Sequence, residues 1–344
     1  MSLVLRDIRF GYGPALVLDG VSMSVAAGEI VCLFGPSGCG KTTALRVAAG
    51  LERLTGGNVE LDGKTLSSRQ AHVAPEDREI GFVFQDYVLF QHMTVAENVA
   101  FGLNGLSGKE RRVRIEAELA GVGLSDLANR RPAELSGGQQ QRAALARAFA
   151  RRPRAMLLDE PFASIDAALR RRLRAELRRM LKERGTPAIV VTHDVEEAVE
   201  LGDRIAIMAR GRILEDASPE KLWTAAATPQ GALVFAGAQR LAVTPAADGV
   251  STPFGPIAVG PRAEAALAVI LPGGASASAD EAGRARVVDC RFAGPDFLAT
   301  LEAIDHPGLL LRATSIEALP AGARARVTFE PGRARMINGQ ADDA

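Results

Sequence analysis

One glycine-rich stretch, residues 35–43, constrains the fold of this chain more than any other feature. It reads GPSGCGKTT and lies between an apolar run, residues 30–34, and an alanine-rich segment that ends at Gly50. This spacing of glycine, lysine and threonine between a buried strand and a helix is typical of a phosphate-binding loop. The sequence therefore predicts an α/β fold that binds a nucleotide. The alternative, a tight turn with an incidental surface lysine, leaves the third glycine and the threonine unexplained.

The residues of this loop divide by their chemistry. Glycines let several backbone N–H groups turn toward one anion, and the start of the following helix adds its partial positive charge. Lys41 supplies a full charge for the β- and γ-phosphates, and the Thr42 hydroxyl can ligate Mg²⁺. The predicted phosphate site comprises Gly35, Pro36, Ser37, Gly38, Cys39, Gly40, Lys41, Thr42 and Thr43.

Composition bounds the class of protein. The 344 residues allow about two domains, and 41 basic residues balance 41 acidic ones, so no bulk attraction to nucleic acid or anionic lipid is expected. No apolar run is long enough to span a bilayer, and the charged first ten residues read as a strand rather than a signal peptide. Three cysteines at unrelated spacings indicate neither a disulfide framework nor a zinc site. These features favour a cytoplasmic protein.

Polar side chains follow three further apolar runs, at the points where buried strands are expected to end. Gln85 follows residues 81–84, Asp159 and Glu160 close residues 155–158, and His193 follows residues 188–191. Open parallel sheets bind ligands at this edge. Gln85 could reach Mg²⁺ or water, or be a solvated loop residue. With a phosphate-binding loop present, we expect Asp159 to hold the Mg²⁺ shell and Glu160 to orient or deprotonate water, rather than both being solvated charges.

A second glycine-rich helix start occurs at residues 135–139, LSGGQ. Ser136 is a good N-cap, and the exposed N–H groups of such a start form another potential anion site. An ordinary helix entry explains the cap but not the paired glycines. Tyr12, in a turn-rich segment, is either a half-buried turn aromatic or a ring that stacks on a base. The arginine-rich helix at residues 168–181 is read as a solvated face rather than a nucleic-acid patch.

The character of the chain changes near Gly231. Short strand-like runs at residues 286–292, 297–303, 309–313 and 324–329 are separated by Pro- and Gly-containing turns. This spacing predicts a small all-β barrel. Residues 273–283, GGASASADEAG, are predicted to form a flexible loop.

Together, GPSGCGKTT, Gln85, LSGGQ, LLDE and His193 resemble the motif set of the ATP-binding cassette ATPases. The resemblance covers residues 1–235. It implies a P-loop NTPase fold with a RecA-like core, a β-subdomain and a helical subdomain near residues 88–152. Residues 236–344 resemble the OB-type barrel that follows the cassette in importers. Within the importers, the ferric-iron import ATPases are the nearest in pattern, with polyamine, molybdate and sulfate import ATPases as alternatives.

The resemblance also implies roles for matching residues. Tyr12 stacks on adenine, Gln85 senses the γ-phosphate, Asp159 organises Mg²⁺, Glu160 is the general base and His193 steadies the γ-phosphate. Lys41 joins Glu160, His193 and Gln85 in the catalytic set, while Thr42, Gln85 and Asp159 form the metal set. The residues that meet the nucleotide of the other protomer, or cross the interface, are Ser136, Gly137, Gly138, Gln139 and Asp166.

The expected assembly is a head-to-tail homodimer that uses ATP and Mg²⁺. Its implied partners are two transmembrane permease subunits and an extracytoplasmic substrate-binding protein, with no nucleic acid. This places the chain peripherally on the cytoplasmic face of the cell membrane. Residues 163–166 (Ala-Ser-Ile-Asp) and residues 270–273 (Ile-Leu-Pro-Gly) depart from the usual Ser-Ala-Leu-Asp and Leu-Arg-Pro-Glu. The rival classes are a cassette protein acting on DNA or ribosomes and an exporter ATPase.

Overall fold

A computed structural model describes residues 1–163, 167–235, 237–246, 248–259 and 267–337. Its contacts divide the chain into two compact units, Met1–Pro219 and Glu220–Ala344. The first unit carries the glycine-rich loop and the strand ends singled out above, and the second carries the strand-rich segment. Asp166, predicted to cross a dimer interface, lies outside the described residues.

The first unit combines two β-sheets with helices. Its described elements, in chain order, are β1 (Ser2–Gly11), β2 (Leu16–Ala26), β3 (Ile30–Phe34), α1 (Lys41–Ala49), β4 (Gly56–Leu61), β5 (Lys64–Ser67), β6 (Ile80–Val83), α2 (Val95–Ala100), α3 (Gly108–Gly121), α4 (Gly137–Ala150), β7 (Ala155–Asp159), α5 (Ala167–Arg184), β8 (Ala188–Thr192), α6 (Val195–Leu201), β9 (Arg204–Ala209) and β10 (Arg212–Ala217).

The central sheet has the strand order β10-β9-β3-β8-β7-β6. All neighbours from β9 to β6 are parallel, and β10 pairs antiparallel with β9. Strands β7 and β8 are buried along their whole length, as is β3 up to Phe34. Apolar runs without alternation are typical of parallel strands covered on both faces. The predicted succession of buried strand, glycine-rich loop and helix is confirmed.

A second sheet, antiparallel and of order β2-β1-β4-β5, packs its inner face on the same core. Burial alternates along β1 and β2 because successive side chains of a strand point to opposite faces. The inward residues Leu3, Ile8 and Val21 share one apolar cluster with Leu45 of α1. The helix that begins at Lys41 is thereby packed against both sheets.

The helices between β6 and β7 are defined by their N-caps. Thr94, Ser107 and Ser136 each accept a hydrogen bond from the backbone N–H three residues later, and the Glu or Gln at that position binds back to the cap. These reciprocal bonds satisfy two backbone donors at each helix start. The helix starts predicted at Thr94 and Ser136 are present.

The second unit is mainly β-structure. Its described elements are α7 (Pro219–Ala225), α8 (Pro229–Ala232), β11 (Gln239–Ala242), β12 (Thr244–Ala246), β13 (Gly249–Thr252), β14 (Gly255–Ile257), β15 (Leu267–Ile270), β16 (Ala275–Ala279), β17 (Ala285–Phe292), β18 (Phe297–Ala303), β19 (Leu310–Ser315), β20 (Arg324–Phe329) and β21 (Ala334–Ile337).

Five of these strands close into a barrel of order β16-β19-β18-β17-β20, which confirms the predicted small barrel. Two three-stranded sheets, β11-β15-β21 and β12-β13-β14, accompany it in this unit. The prediction of a flexible loop at residues 273–283 is wrong. That segment contains β16, which pairs with β20 over its whole length and buries Ala275 and Ala277 in the barrel core. Among the described residues, no helix combines the length and apolarity needed to cross a bilayer.

Candidate functional site

Four neighbouring parallel strands end together at one edge of the central sheet. In the register of the sheet, Phe34 of β3 pairs with Thr192 of β8, and Asp159 of β7 pairs with Val191. Strand β6 continues the row beside β7 and ends one register step before it. The segments that follow these strands are the glycine-rich loop, His193, Glu160 and Gln85. This edge therefore gathers the polar residues that the sequence predicted at strand ends.

The glycine-rich loop depends on residues without a Cβ. Gly38 and Gly40 have φ values of 79° and 108°, in the left-handed region. A Cβ at Gly35 would lie 2.1 Å from the Met208 carbonyl oxygen, and one at Gly40 would lie 2.9 Å from that of Val17. Such approaches are closed to other residues. The loop backbone therefore lies close to neighbouring strands. At Gly40, where α1 begins, no side chain caps the backbone N–H groups.

Lys41 is the first residue of α1 and is buried, with 6% of its surface exposed. Its Nζ donates to the carbonyl oxygens of Gly35 and Pro36, both at 2.8 Å. The ammonium group thus lies inside the loop, held by the loop's own carbonyl oxygens. Cys39 is also buried, and burial raises the pKa of its thiol.

Thr42 and Asp159 connect the loop to β7. The Thr42 hydroxyl donates to Asp159 Oδ1 at 2.9 Å, and Asp159 is 5% exposed. Burial raises the pKa of this carboxyl group, an effect opposed by the Thr42 hydrogen bond. A hydroxyl and a carboxylate are the hard oxygen donors that Mg²⁺ prefers. Among the described residues no cluster of three or more His, Cys, Asp or Glu side chains forms.

Glu160 is held in a strained backbone conformation beside His193. Its φ is 44°, in the left-handed region that costs a non-glycine residue about 1–3 kcal/mol. Its N–H donates to the Val191 carbonyl oxygen at 3.0 Å, so the strained residue is fixed to β8. Its Oε2 lies 3.2 Å from His193 Nδ1. Strain of this kind persists where the surroundings fix a residue, and it concentrates at functional sites.

Three of the predicted residues, His193, Gln85 and Tyr12, are exposed. The side chain of His193 is 61% exposed, and Gln85 lies on the surface after β6. Tyr12 is 58% exposed, its ring stands edge-on to Phe10 at 4.8 Å, and its hydroxyl donates to Glu52 Oε1 at 3.0 Å. An exposed ring supported on one side leaves a face for stacking.

The LSGGQ segment forms the exposed start of α4. Ser136 caps the helix: its N–H donates to Gln139 Oε1 at 2.8 Å, and its hydroxyl accepts from the Gln139 N–H at 3.4 Å. Gly137 is exposed and Gly138 is buried. In the described ranges, no hydrogen bond or ion pair joins this helix start to the glycine-rich loop. The chain therefore presents two separate glycine-rich helix starts, one with a lysine and one without.

Sequence reasoning missed the residues that hold His193. Thr192, Asp194 and Glu197 form a hydrogen-bonded group around it, and Arg174 of α5 binds Asp194 at 3.0 Å. Glu197 and Arg174 are 4% and 3% exposed, although a sequence pattern places both on surface helices. The Asp and Glu three residues apart at 194 and 197 were the available signal, because they suggest a helix start.

Comparisons with known proteins agree with this geometry. A sequence profile of the ABC transporter family matches residues 18–163. The chain is 46% identical over 241 residues to the sulfate/thiosulfate import ATP-binding protein CysA of Burkholderia mallei, covering 68% of this chain and 67% of that protein. It is 44% identical over 234 residues to the protein of that name from Escherichia coli K12, covering 66% and 63%.

A solved structure is also similar. It is described as the dimeric structure of a post-hydrolysis state of the ATP-binding cassette MJ0796 bound to ADP and Pi. The identity is 32% and the TM-score 0.55, and the match covers 63% of this chain and 98% of the other. The region of likeness therefore includes nearly the whole of a solved cassette and about two thirds of the length of the curated relatives.

Proposed function

Because the chain belongs to the ABC transporter family and is an ATPase that uses ATP and Mg²⁺, we propose that it is the energy-coupling subunit of an importer for sulfate or thiosulfate. The observation that carries the enzymatic part is the meeting of the glycine-rich loop, Asp159, Glu160 and His193 at one sheet edge. The cargo rests on the names of the relatives, which are sulfate/thiosulfate import proteins. They support the sulfate alternative of the sequence analysis and not its first choice, ferric iron.

The loop and its surroundings bind the nucleotide in this proposal. Tyr12 stacks on the adenine, and residues 35–43 surround the phosphates with backbone N–H groups. Lys41 exchanges the carbonyl oxygens of Gly35 and Pro36 for phosphate oxygens. Its ammonium group is therefore already inside the loop when the nucleotide binds. Thr42, Asp159 and Gln85 hold the Mg²⁺, which when bound neutralises charge on the β- and γ-phosphates.

Hydrolysis is then a matter of positioning and electrostatics. Glu160 accepts a proton from the attacking water or orients it toward the γ-phosphate. With Nδ1 of His193 directed at Glu160, the other ring nitrogen is left for the γ-phosphate. Lys41 and His193 stabilise the charge that develops on the transferred group. The fixed backbone of Glu160 supports this role, because the base needs no reorganisation when the reaction occurs.

The two separate anion sites support a dimer with shared active sites. In a head-to-tail homodimer, residues 136–139 of one protomer close on the nucleotide bound by the loop of the other, and Asp166 crosses the interface. Two permease subunits and an extracytoplasmic binding protein complete the proposed importer, with this chain at the cytoplasmic face of the membrane. We assign residues 1–235 to the cassette, residues 88–152 within it to the helical subdomain, and residues 236–344 to the OB-type domain.

Transport in a deletion strain of the source organism tests the cargo. We expect uptake of radiolabelled sulfate and thiosulfate to fall and to recover with the wild-type gene. The Glu160→Gln variant should bind ATP and yet leave uptake low, because its amide cannot take a proton. Uptake of ferric iron, polyamine and molybdate should not change. Normal sulfate and thiosulfate uptake together with a loss of one of these three would overturn the cargo proposal.

A further inference from the structure

A ring of three hydrogen bonds joins Thr192, Asp194 and Glu197 around the backbone of His193. One of these bonds involves the buried carboxyl group of Glu197, in α6. The Thr192 hydroxyl accepts from the Asp194 N–H at 3.0 Å and donates to Glu197 Oε2 at 3.0 Å. The Glu197 N–H in turn donates to Asp194 Oδ1 at 3.2 Å. His193 lies between Thr192 and Asp194, so the ring fixes the chain on both sides of it.

Helix α5 braces the same ring from the other side. Arg174, whose side chain is 4% exposed, and Arg170 bind Asp194 Oδ2 at 3.0 and 3.3 Å. Two charge-assisted bonds on one carboxylate leave Asp194 little freedom. Asp194 is therefore anchored independently of Glu197, whereas the Thr192 hydroxyl, whose own backbone lies in β8, is oriented by the Glu197 carboxyl group.

Fold stability does not account for a carboxyl group at position 197. Glu197 is 4% exposed, and its Oε1 has no hydrogen-bond partner among the described residues. Burying a carboxyl group with one oxygen unsatisfied destabilises a fold, and an apolar residue of similar size avoids that cost. Conflicts of this kind between local chemistry and stability are found at functional sites.

The electrostatic surroundings of Glu197 agree with a role through hydrogen bonding. Burial raises its pKa to about 7, against the opposing effects of the Thr192 hydrogen bond and the charges of Arg174 and Arg170, while Asp194 raises it further. The charge of Glu197 also acts on Cys32 of β3 and on Tyr87 in the segment after β6, and it contributes to raising the pKa of both side chains. The Thr192 hydroxyl is the hydrogen-bond partner through which the carboxyl group reaches the His193 loop.

We propose that Glu197 is a positioning residue for ATP hydrolysis, which acts through the Thr192 hydroxyl to hold the backbone of His193 and direct its ring at Glu160. The inference rests on the proposed roles of His193 and Glu160. His193 Nδ1 lies 3.2 Å from Glu160 Oε2, yet the His193 side chain is 61% exposed. An exposed imidazole takes its direction from its backbone more than from packing. Loosening the hydrogen bonds around the His193 backbone therefore misplaces the imidazole.

Steady-state ATP hydrolysis by the purified full-length chain tests the proposal. Glu197→Ala should lower kcat about 10-fold or more while the KM for ATP changes by less than about threefold, because binding energy lies mainly in the phosphate loop. Thr192→Val, which keeps the shape and removes the hydroxyl, should reproduce that loss. Glu197→Gln and Thr192→Ser keep an acceptor and a hydroxyl and should each recover most of the activity. The combination of Glu197→Ala and Thr192→Val should cost no more than either alone.

Glu200→Ala is the matched control. Glu200 lies on the same helix and pairs with Arg174 at 3.2 Å, but it has no bond to Thr192. Its kcat should stay within about twofold of the wild type. If Glu197→Ala does not fold, the pair Thr192→Val and Thr192→Ser carries the test alone. Normal kcat in folded Glu197→Ala or Thr192→Val would overturn the proposal, as would a Glu197→Gln variant as slow as Glu197→Ala.

His193→Ala separates this inference from the function on which it rests. If His193→Ala is slow and Glu197→Ala is normal, the role of His193 stands and that of Glu197 fails. If His193→Ala is itself normal, the proposed role of His193 fails. Agreement requires that Glu197→Ala causes no further loss in the His193→Ala background.

Discussion

At the scale of single residues, the sheet edge combines Glu160 and His193, 3.2 Å apart after the ends of two strands, with Glu197, a buried carboxyl group on α6. The positions of Glu160 and His193 were predictable because each lies two residues after an apolar run, and parallel strands share one carboxyl edge. The capping pair Asp194 and Glu197 was readable only as a helix start. Burial of Glu197 depends on α5 and β3, which pack against α6 from other parts of the chain, and no local pattern reports such packing.

The raised pKa of Glu197 predicts a pH dependence of stability. The group titrates at about 7 in the folded chain against an ordinary 4.5, so it binds its proton more tightly when folded. Its contribution to stability is fully present below pH 4.5 and is lost as the pH rises through about 7. Glu197→Gln removes this titration. We expect the variant to gain about 2–3 kcal/mol relative to the wild type between about pH 5 and pH 8.

Thermal unfolding of both proteins at the two pH values measures this effect. The melting temperature of Glu197→Gln should fall less than that of the wild type as the pH rises. Parallel curves for the two proteins would show that Glu197 does not titrate in this range.

At the scale of elements, the sequence predicted strands and helix starts where local chemistry decides them. The reciprocal caps at Thr94 and Ser136 and the helix stop at Gly50 follow from short patterns. The failure at β16 has a physical reason. Its sequence, ASASA, has no bulky apolar residue, and the strand exists because β20 offers a pairing edge and the barrel core accepts small side chains at Ala275 and Ala277.

A buried arginine, Arg78, holds the end of helix α1, and no sequence pattern predicted this contact. Arg78 is 1% exposed and donates to the carbonyl oxygens of Val47 and Ala48 at the end of α1, at 3.3 and 2.9 Å. It also donates to Ser67 Oγ at 2.6 Å and to the Val73 carbonyl oxygen at 2.9 Å. Burial lowers its pKa to about 10, so it remains charged at neutral pH at the negative end of the helix dipole.

Arg78→Lys should destabilise the chain by about 2–4 kcal/mol, because one ammonium group cannot reach α1, β5 and Val73 together. Urea unfolding followed by circular dichroism measures the loss. Arg112→Lys is the control: Arg112 forms an exposed pair with Glu116 one helical turn away, and its replacement should leave the urea midpoint unchanged. Equal stability of Arg78→Lys and wild type would show that the carbonyl contacts of Arg78 do not hold α1.

At the scale of the whole molecule, the α/β cassette fold and the small barrel were both predictable, because strand–loop–helix spacing and short strands with turns are local signals. The cargo was not, since an ATPase subunit carries no residue that binds it, and the relatives moved the assignment from ferric iron toward sulfate. The two glycine-rich helix starts share no hydrogen bond among the described residues. Whether each active site takes one start from each protomer is therefore a question about the assembly.

Charge placed at Ser136 tests this arrangement without disturbing the helix. In the Glu160→Gln background, ATP and Mg²⁺ should produce a stable dimer, measured by light scattering after gel filtration. Adding Ser136→Asp should abolish that ATP-dependent dimer, because Asp caps α4 as well as Ser but sets a negative charge against the γ-phosphate of the partner. ATP binding to the loop of the same chain should persist. Ser136→Asn, which matches Asp in shape and capping but is neutral, should still dimerise, and equal dimer formation by the Asp and Asn variants would contradict the shared site.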